Sequence, residues 1–245
     1  MASRITAIAL SVMAATLSAC ATPEPATTPL ASGLNALYED SIRAAAVRQP
    51  DWNVPLRALG DGPTVTVGTF TAYPNLDTVN YYVWVSVPAQ LWELCRRKPD
   101  PVLAIQQILG LPPQADPGAG KAWHLFLFQV PRTSLFRPCP GGVDPDAPAE
   151  APRCRAGNSL DPQLDPETQR FLLNQYWTAH HASVTVAGRT SYGYPWTAMG
   201  WTYDWDPESK SHIGASEFVV RKGTPTDKVT SVTPAAFCGA SQPPA

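Results

Sequence analysis

Hydrophobic positions along this chain recur at two spacings, which predict a mixture of strands and helices. Between Pro63 and Ala72 the apolar residues alternate with polar ones, as in a half-buried strand. The run from Val79 to Val87 has apolar side chains at every second position and is the strongest strand signal. Further strands are predicted over 122–130, 183–187, 196–205 (interrupted at Gly200), 217–221 and 229–232.

Helical spacing and helix-capping residues alternate with these strands. Apolar residues at 34, 37, 38, 42, 45 and 46 predict a helix over 34–47, which Pro50 ends. Prolines at the first helical position predict helices over 88–96 and 100–109, and Asp165-Pro166-Glu167 predicts one that runs to about Thr178. Thr233-Pro234 predicts a last short turn. Because the elements lack a regular βαβ order, we expect an α+β domain, a mainly antiparallel sheet packed by a few short helices.

The first twenty residues have the pattern of an export signal. Arg4 precedes a short apolar stretch that ends in Leu17-Ser18-Ala19-Cys20. The stretch is shorter than the roughly 20 apolar residues of a membrane span. An ordinary cleaved signal peptide is the other interpretation. The Leu-Ser-Ala-Cys ending resembles the lipobox of bacterial lipoproteins, which implies cleavage before Cys20 and acyl chains on that residue.

This resemblance covers only the targeting segment, and it gives the expected organisation of the chain. Residues 1–19 are the lipoprotein signal peptide, and 20–32 are the acylated Cys20 with a tether rich in Pro and Thr. Residues 33–245 form a single globular domain, with a Pro-rich loop at 138–162. The expected location is the bacterial cell envelope, with the lipid anchor in the outer membrane and the body in the periplasm. The membrane is then one partner.

Composition excludes several classes of function. The chain has 245 residues, a formal net charge of −2, 16% charged residues and 27 prolines. A basic surface for nucleic acid is therefore not expected. The many prolines predict turns and irregular connections, and 44% hydrophobic residues predict a folded core. No phosphate-binding glycine loop and no metal-ligand spacing is present, so we expect no cofactor and no metal.

Four cysteines remain when Cys20 is set aside. An even number in an exported chain predicts disulfides, and four cysteines allow three pairings. The favoured pairing joins Cys139 to Cys154 within the Pro-rich loop, and Cys95 to Cys238.

Aromatic residues are densest near position 200. Candidate binding residues are Tyr194, Trp196, Trp201, Tyr203 and Trp205. On a strand, Trp201, Tyr203 and Trp205 would share one face. Such a face suits a sugar or an apolar partner, and it equally suits a protein core.

Acid–base chemistry has few candidates in this sequence. The weak catalytic candidates are His124, His180, His181, Asp204 and Glu217, the last two as a carboxylate pair on neighbouring strands. A structural role at a helix C-terminus is the alternative for His181.

Two functional hypotheses follow. The leading one is a lipid-anchored binding or structural module of the envelope, whose partner is peptidoglycan or another envelope protein. The alternative is an envelope hydrolase or transferase that uses a histidine and a carboxylate near an aromatic-lined cleft. Whether such groups converge on one cleft separates the two hypotheses.

Overall fold

An antiparallel sheet of seven strands organises the fold. In the computed structural model the described residues are 29–73, 78–114, 116–155, 159–180, 184–186, 189–191 and 193–243. The strands are β1 (Thr64–Thr71), β2 (Thr78–Val79), β3 (Val83–Ser86), β4 (His124–Pro131), β5 (Leu135–Phe136), β6 (Val184–Val186), β7 (Arg189–Ser191), β8 (Trp201–Tyr203), β9 (Ile213–Val220), β10 (Thr224–Pro225) and β11 (Asp227–Val232). The order in the main sheet is β11-β4-β1-β3-β9-β5, and β8 also pairs with β9. β2 pairs with β10, and β6 pairs with β7.

Five α-helices in the described part of the chain each begin at a proline. They are α1 (Pro29–Ala45), α2 (Pro88–Cys95), α3 (Pro101–Ile108), α4 (Pro166–His180) and α5 (Pro234–Cys238). Proline suits this position because the first helical N–H has no partner within the helix. Short 3₁₀ turns lie at Pro50–Trp52 and Arg132–Ser134. The predicted α+β architecture is therefore confirmed.

The caps of three helices explain why they begin where they do. The Asp100 carboxylate accepts hydrogen bonds from the backbone N–H groups of Val102 and Leu103 at the start of α3. Asp165 accepts one from the N–H of Thr168 at α4, and the Thr233 hydroxyl caps α5. Each cap satisfies a backbone donor that the helix itself leaves unpaired.

The apolar run from Val79 to Val87 forms two strands instead of the single predicted one. Val79 leaves the main sheet and pairs with Thr224 of β10, while β3 starts only at Val83. Tyr81 and Tyr82 lie between the two strands, and Tyr81 is exposed. The alternating pattern could not distinguish these arrangements because both keep the valines buried.

One face of the sheet is covered by helices at two places. α2, α3 and α5 pack over Phe70, Leu125 and Leu127 of that face. α4 packs near Trp84 and Val219, farther along the same face. Between the two groups of helices, the sheet face is open to the cavity described below.

The two disulfides have the predicted pairing. Cys95 of α2 bonds to Cys238 of α5 across a sequence separation of 143 residues, and both side chains are buried. Cys139 bonds to Cys154, and a backbone bridge between Val143 and Cys154 closes the same loop. The first bond ties the end of the chain to the helical layer, and the second orders the Pro-rich loop.

α1 begins at Pro29, inside the segment predicted to be a tether. The signal segment and Cys20 lie outside the described residues. Among the helices that the structure describes, none is both long and apolar enough to cross a membrane.

Candidate functional site

A cavity of about 430 Å³ lies over the sheet between the helices. Its walls come from β1, β3 and β9 below, and from the 109–112 loop, the Tyr194–Trp196 segment, α1 and α4 around it. The lining is rich in aromatic side chains: Tyr38, Phe70, Tyr73, Tyr81, Tyr82, Trp84, Tyr194 and Trp196. Tyr73 and Tyr81 are exposed, whereas Trp196 is buried, so the cavity runs from a surface mouth inward. Its size is that of a small-molecule site.

The sheet makes room for the cavity through a row of small residues. Gly68 of β1 pairs with Ser86 of β3, and Ser86 pairs with Glu217 of β9. These three residues therefore lie side by side on the face below the helices, and all three line the cavity. Because glycine and serine fill little space beside it, the Glu217 carboxyl group faces the cavity instead of a packed side chain.

Glu217 is a buried acid with one unpartnered carboxyl oxygen. Its side chain is 5% exposed, and its Oε1 makes no hydrogen bond with any residue that the structure describes. Burial raises the pKa of Glu217 from 4.5 to about 8, against the lowering effects of a hydrogen bond from the Trp196 indole and of the Arg137 charge. The carboxyl group is therefore mostly protonated at neutral pH.

Arg137 belongs to the other side of the sheet. Its guanidinium lies 4.1 Å from the centre of the Phe218 ring and donates a hydrogen bond to the carbonyl oxygen of Arg57. Phe218 packs in the apolar cluster of the opposite sheet face, and Arg137 does not line the cavity. Burial lowers the pKa of Arg137 to about 10, which leaves it charged at neutral pH.

Several polar groups of the lining already have hydrogen-bond partners within the protein. The Tyr194 hydroxyl donates a hydrogen bond to Gln175 Oε1 of α4, and the Tyr38 hydroxyl donates to the Gly110 carbonyl at 3.5 Å. Thr202 Oγ1 contacts the carbonyl of Ile108 and accepts from the Ala215 N–H at 2.8 Å. Burial raises the pKa of both Tyr38 and Tyr194, so both hydroxyls stay neutral. Glu217 is the one ionisable acid among the described lining residues.

Aromatic rings around Trp84 pack edge to face. The Trp84 ring centre lies 6.4 Å from that of Trp196 and 6.4 Å from that of Tyr194, with interplanar angles of 75° and 72°. Phe171 of α4 supports Trp84 from behind at 5.8 Å. These contacts fix the wall of the cavity next to Glu217.

A smaller cavity of about 250 Å³ adjoins the first one. Both are lined by Phe70, Tyr73 and Leu111, and Trp123 stacks on Phe70 at 4.7 Å in the second. Lys121 also lines the second cavity, beside the Tyr73 ring. The two cavities share the wall formed by Phe70.

The aromatic candidates divide between the cavity and the core. Tyr194 and Trp196 line the cavity. Trp201, Tyr203 and Trp205 are buried in a cluster with α1 and the Cys139–Cys154 bond. There the Trp205 indole N–H donates to the Leu111 carbonyl at 2.9 Å.

The histidine and acid candidates do not converge with Glu217. His124 of β4 lies 3.0 Å from the Ser231 hydroxyl, outside the cavity lining. His180 ends α4 with its ring stacked on Trp196 at 6.4 Å, but it does not line the cavity either. Asp204 directly follows β8, and its carboxylate accepts a hydrogen bond from the N–H of Asp206. His181 lies outside the described residues.

No cluster of three or more His, Cys, Asp or Glu side chains suited to a metal ion occurs in the described part of the chain. The site therefore consists of one buried acid, small neighbours and aromatic walls. Such a site can enclose a small ligand and exchange one proton with it. Among the acid and histidine candidates that the structure describes, Glu217 alone lines the cavity. Its neighbours Gly68, Trp84 and Ser86 belong to no chemical motif, so the sequence carried no signal for them.

The comparisons with known proteins identify no relative. No protein-family model matches the chain, no curated protein matches it, and no solved structure matches it.

Proposed function

We propose that this chain is a lipid-anchored protein of the bacterial envelope that binds a small organic ligand in the cavity above Glu217. The observation that carries the binding part is a preformed aromatic cavity of about 430 Å³ with a buried carboxyl group at its base, whose Oε1 has no hydrogen-bond partner among the described residues. Burying an oxygen without a hydrogen bond costs stability, and a ligand that donates a hydrogen bond or a positive charge to it would offset this cost. The envelope location rests on the resemblance of residues 17–20 to a lipobox.

The lining supports binding of an apolar body with one polar attachment point. Aromatic and aliphatic side chains supply most of the contact surface, and the Tyr194 and Tyr38 hydroxyls already donate hydrogen bonds within the protein. A ligand would therefore gain its orientation chiefly from Glu217. Peptidoglycan strands and whole proteins are too large for the enclosed part of the cavity. The ligand expected there is therefore a small molecule.

The second candidate function is a hydrolase or transferase in which Glu217 acts as general acid. Its raised pKa favours this role because a proton donor must hold its proton at working pH. Hydrolysis of a glycoside would need a second carboxylate on the opposite side of the substrate. Among the described lining residues no second carboxylate and no histidine is present, so binding is the better supported function.

Blocking the cavity tests the binding proposal. Ser86→Leu places a larger side chain beside Glu217, and Ser241→Leu makes the same change at an exposed site. The neutral fluorescent probe N-phenyl-1-naphthylamine should bind wild type and Ser241→Leu equally, and Ser86→Leu at least tenfold more weakly. Melting curves of the three proteins check that each is folded. Equal binding of the probe by all three folded proteins would falsify the cavity as the binding site.

The anchor has its own test. Cys20→Ala should abolish labelling with radioactive palmitate and leave unprocessed precursor in the producing bacterium. Labelling that persists in Cys20→Ala contradicts the lipobox interpretation, without affecting the binding proposal.

A further inference from the structure

The charge of the cavity sets the charge of its ligand. Among the described lining residues Glu217 is the single ionisable acid, and neither lysine nor arginine nor histidine faces the space. An anionic ligand would therefore meet a buried acid and no cation. Burying a charge without an opposite charge beside it is costly, and an ionised Glu217 would repel the anion as well, so anions are disfavoured.

The walls favour a cation over a neutral molecule. Eight aromatic side chains line the cavity, and three of them, Trp84, Tyr194 and Trp196, are packed together beside the glutamate. The faces of aromatic rings carry partial negative charge, and they attract an ammonium group most strongly where water is excluded. A neutral ligand would gain only apolar contact from the same rings.

We propose that the cavity is specific for a small organic cation, an ammonium group carrying an apolar body, which pairs with the Glu217 carboxylate and contacts the Trp84 and Trp196 rings. This inference rests on the proposed function, because it specifies the ligand of the same site. The apolar body occupies the part of the cavity toward Phe70 and Leu111. Binding converts the buried protonated acid into a paired carboxylate and releases its proton to solvent.

The proton release gives the proposal a measurable signature. The other charged or titratable groups near Glu217 are Arg137 beyond β5, Tyr194 in the cavity wall and Tyr38 of α1. Arg137 keeps its charge up to a pKa of about 10, and burial raises the pKa of both tyrosines. None of these three groups changes charge between pH 6 and 8. The nearest histidine, His180, stacks on Trp196 outside the cavity lining. A histidine of ordinary pKa holds only about a quarter of a proton at pH 7, so a release of about 0.9 proton comes from Glu217.

The experiment compares a permanent cation with its uncharged counterpart. Phenyltrimethylammonium keeps its charge at every pH, and tert-butylbenzene has the same shape with carbon in place of nitrogen. With the pKa of Glu217 at about 8, the affinity for the cation should rise about 50-fold from pH 6 to pH 8 and then level off. Calorimetry at pH 7 in buffers of different ionisation enthalpy should give about 0.9 proton released per cation bound. The affinity for tert-butylbenzene should be independent of pH.

Glu217→Gln separates charge from shape. The amide has nearly the same size, so this variant should still bind tert-butylbenzene but lose both the cation preference and the pH dependence. Glu150→Gln, at an exposed position, is the matched control and should behave as wild type. The calorimetric proton count on wild type keeps the test decisive even where Glu217→Gln does not fold.

The possible failures are distinguishable. Equal, pH-independent binding of the two compounds to wild type overturns the cation specificity and leaves the proposed binding function intact. Binding of neither compound overturns this inference. If the naphthylamine probe also fails to bind, the proposed function falls with it.

Discussion

Replacing Glu217 by glutamine should change how the stability of the protein depends on pH. Below about pH 4.5 the carboxyl group is protonated in both the folded and the unfolded chain. Between pH 4.5 and about 8 the unfolded chain loses this proton while the folded protein keeps it, so the folded state loses stability as pH rises. Above about pH 8 both states are ionised and the loss is complete. Glutamine has no proton to lose, so Glu217→Gln escapes this penalty.

The magnitude follows from the difference between the two pKa values. A carboxyl group with a pKa raised from 4.5 to about 8 costs the folded protein about 5 kcal/mol at high pH. About 4 kcal/mol of this total falls between pH 5 and pH 9. Relative to wild type, Glu217→Gln should therefore gain about 4 kcal/mol in free energy of unfolding over that range. All other titrating groups are common to both proteins, so their effects cancel in the difference.

Urea unfolding followed by tryptophan fluorescence measures this difference at pH 5, 6, 7, 8 and 9. The buried Trp196 and Trp201 and the partly buried Trp84 give a strong signal, and the disulfides stay oxidised throughout. Glu150→Gln, an exposed glutamate, controls for the removal of one negative charge and should follow wild type at every pH. A stability gap between Glu217→Gln and wild type that stays constant from pH 5 to 9 would refute the burial of Glu217 with a raised pKa.

Three further predictions concern the frame around the cavity. Asp165→Ala removes the cap of α4 and should lower the free energy of unfolding by about 1 kcal/mol above pH 4. The Thr168 hydrogen bonds lower the pKa of Asp165 to about 2, so this loss should vanish as pH falls through about 2. Urea unfolding at several pH values measures the difference. Gly214→Ala should lower the free energy of unfolding by about 3 kcal/mol, because the added Cβ would lie 2.2 Å from a carbonyl oxygen of α3. The control is Gly60→Ala, whose Cβ meets nothing within 4 Å, and it should melt like wild type. Replacing both Cys95 and Cys238 by alanine opens a loop of 143 residues and should lower the free energy of unfolding by about 4–5 kcal/mol in the same assay.

Much of the fold was predictable because capping residues, prolines and the spacing of apolar residues indicated the same elements that burial selects in the structure. The prolines at 88, 101, 166 and 234 start helices as predicted, since the proline ring fixes the first helical turn whatever packs around it. The strand over 64–71 and the disulfide pairing were also predictable. The interruption between β2 and β3 was not, because it depends on the pairing of Val79 with a strand about 145 residues later in the chain, and alternation alone carries no information on partners.

The candidate site was predictable only in part. The sequence named Glu217 only as a weak candidate, paired with Asp204. Its position within the apolar strand β9 is the signal that could have marked it as a buried charge. The sequence alone gave no reason to place Gly68 and Ser86 at the site, because only the strand register sets them beside Glu217. The sequence also offered Trp201, Tyr203 and Trp205 as binding candidates, on the same grounds as Tyr194 and Trp196. In the structure these three side chains are buried in the core around Cys139 and Cys154. Aromatic residues serve cores and ligand sites alike, so sequence density could not separate these roles.

The most direct test of the account is the protonation state of Glu217 itself. Carbon-13 NMR of the glutamate carboxyl groups, with Glu217→Gln to assign the resonance, should show Glu217 titrating with a midpoint near pH 8. Addition of phenyltrimethylammonium should move that midpoint to lower pH, because the bound cation favours the carboxylate. A midpoint near pH 4.5 in the free protein, unchanged by the cation, would contradict both the buried acid and the ligand assigned to it.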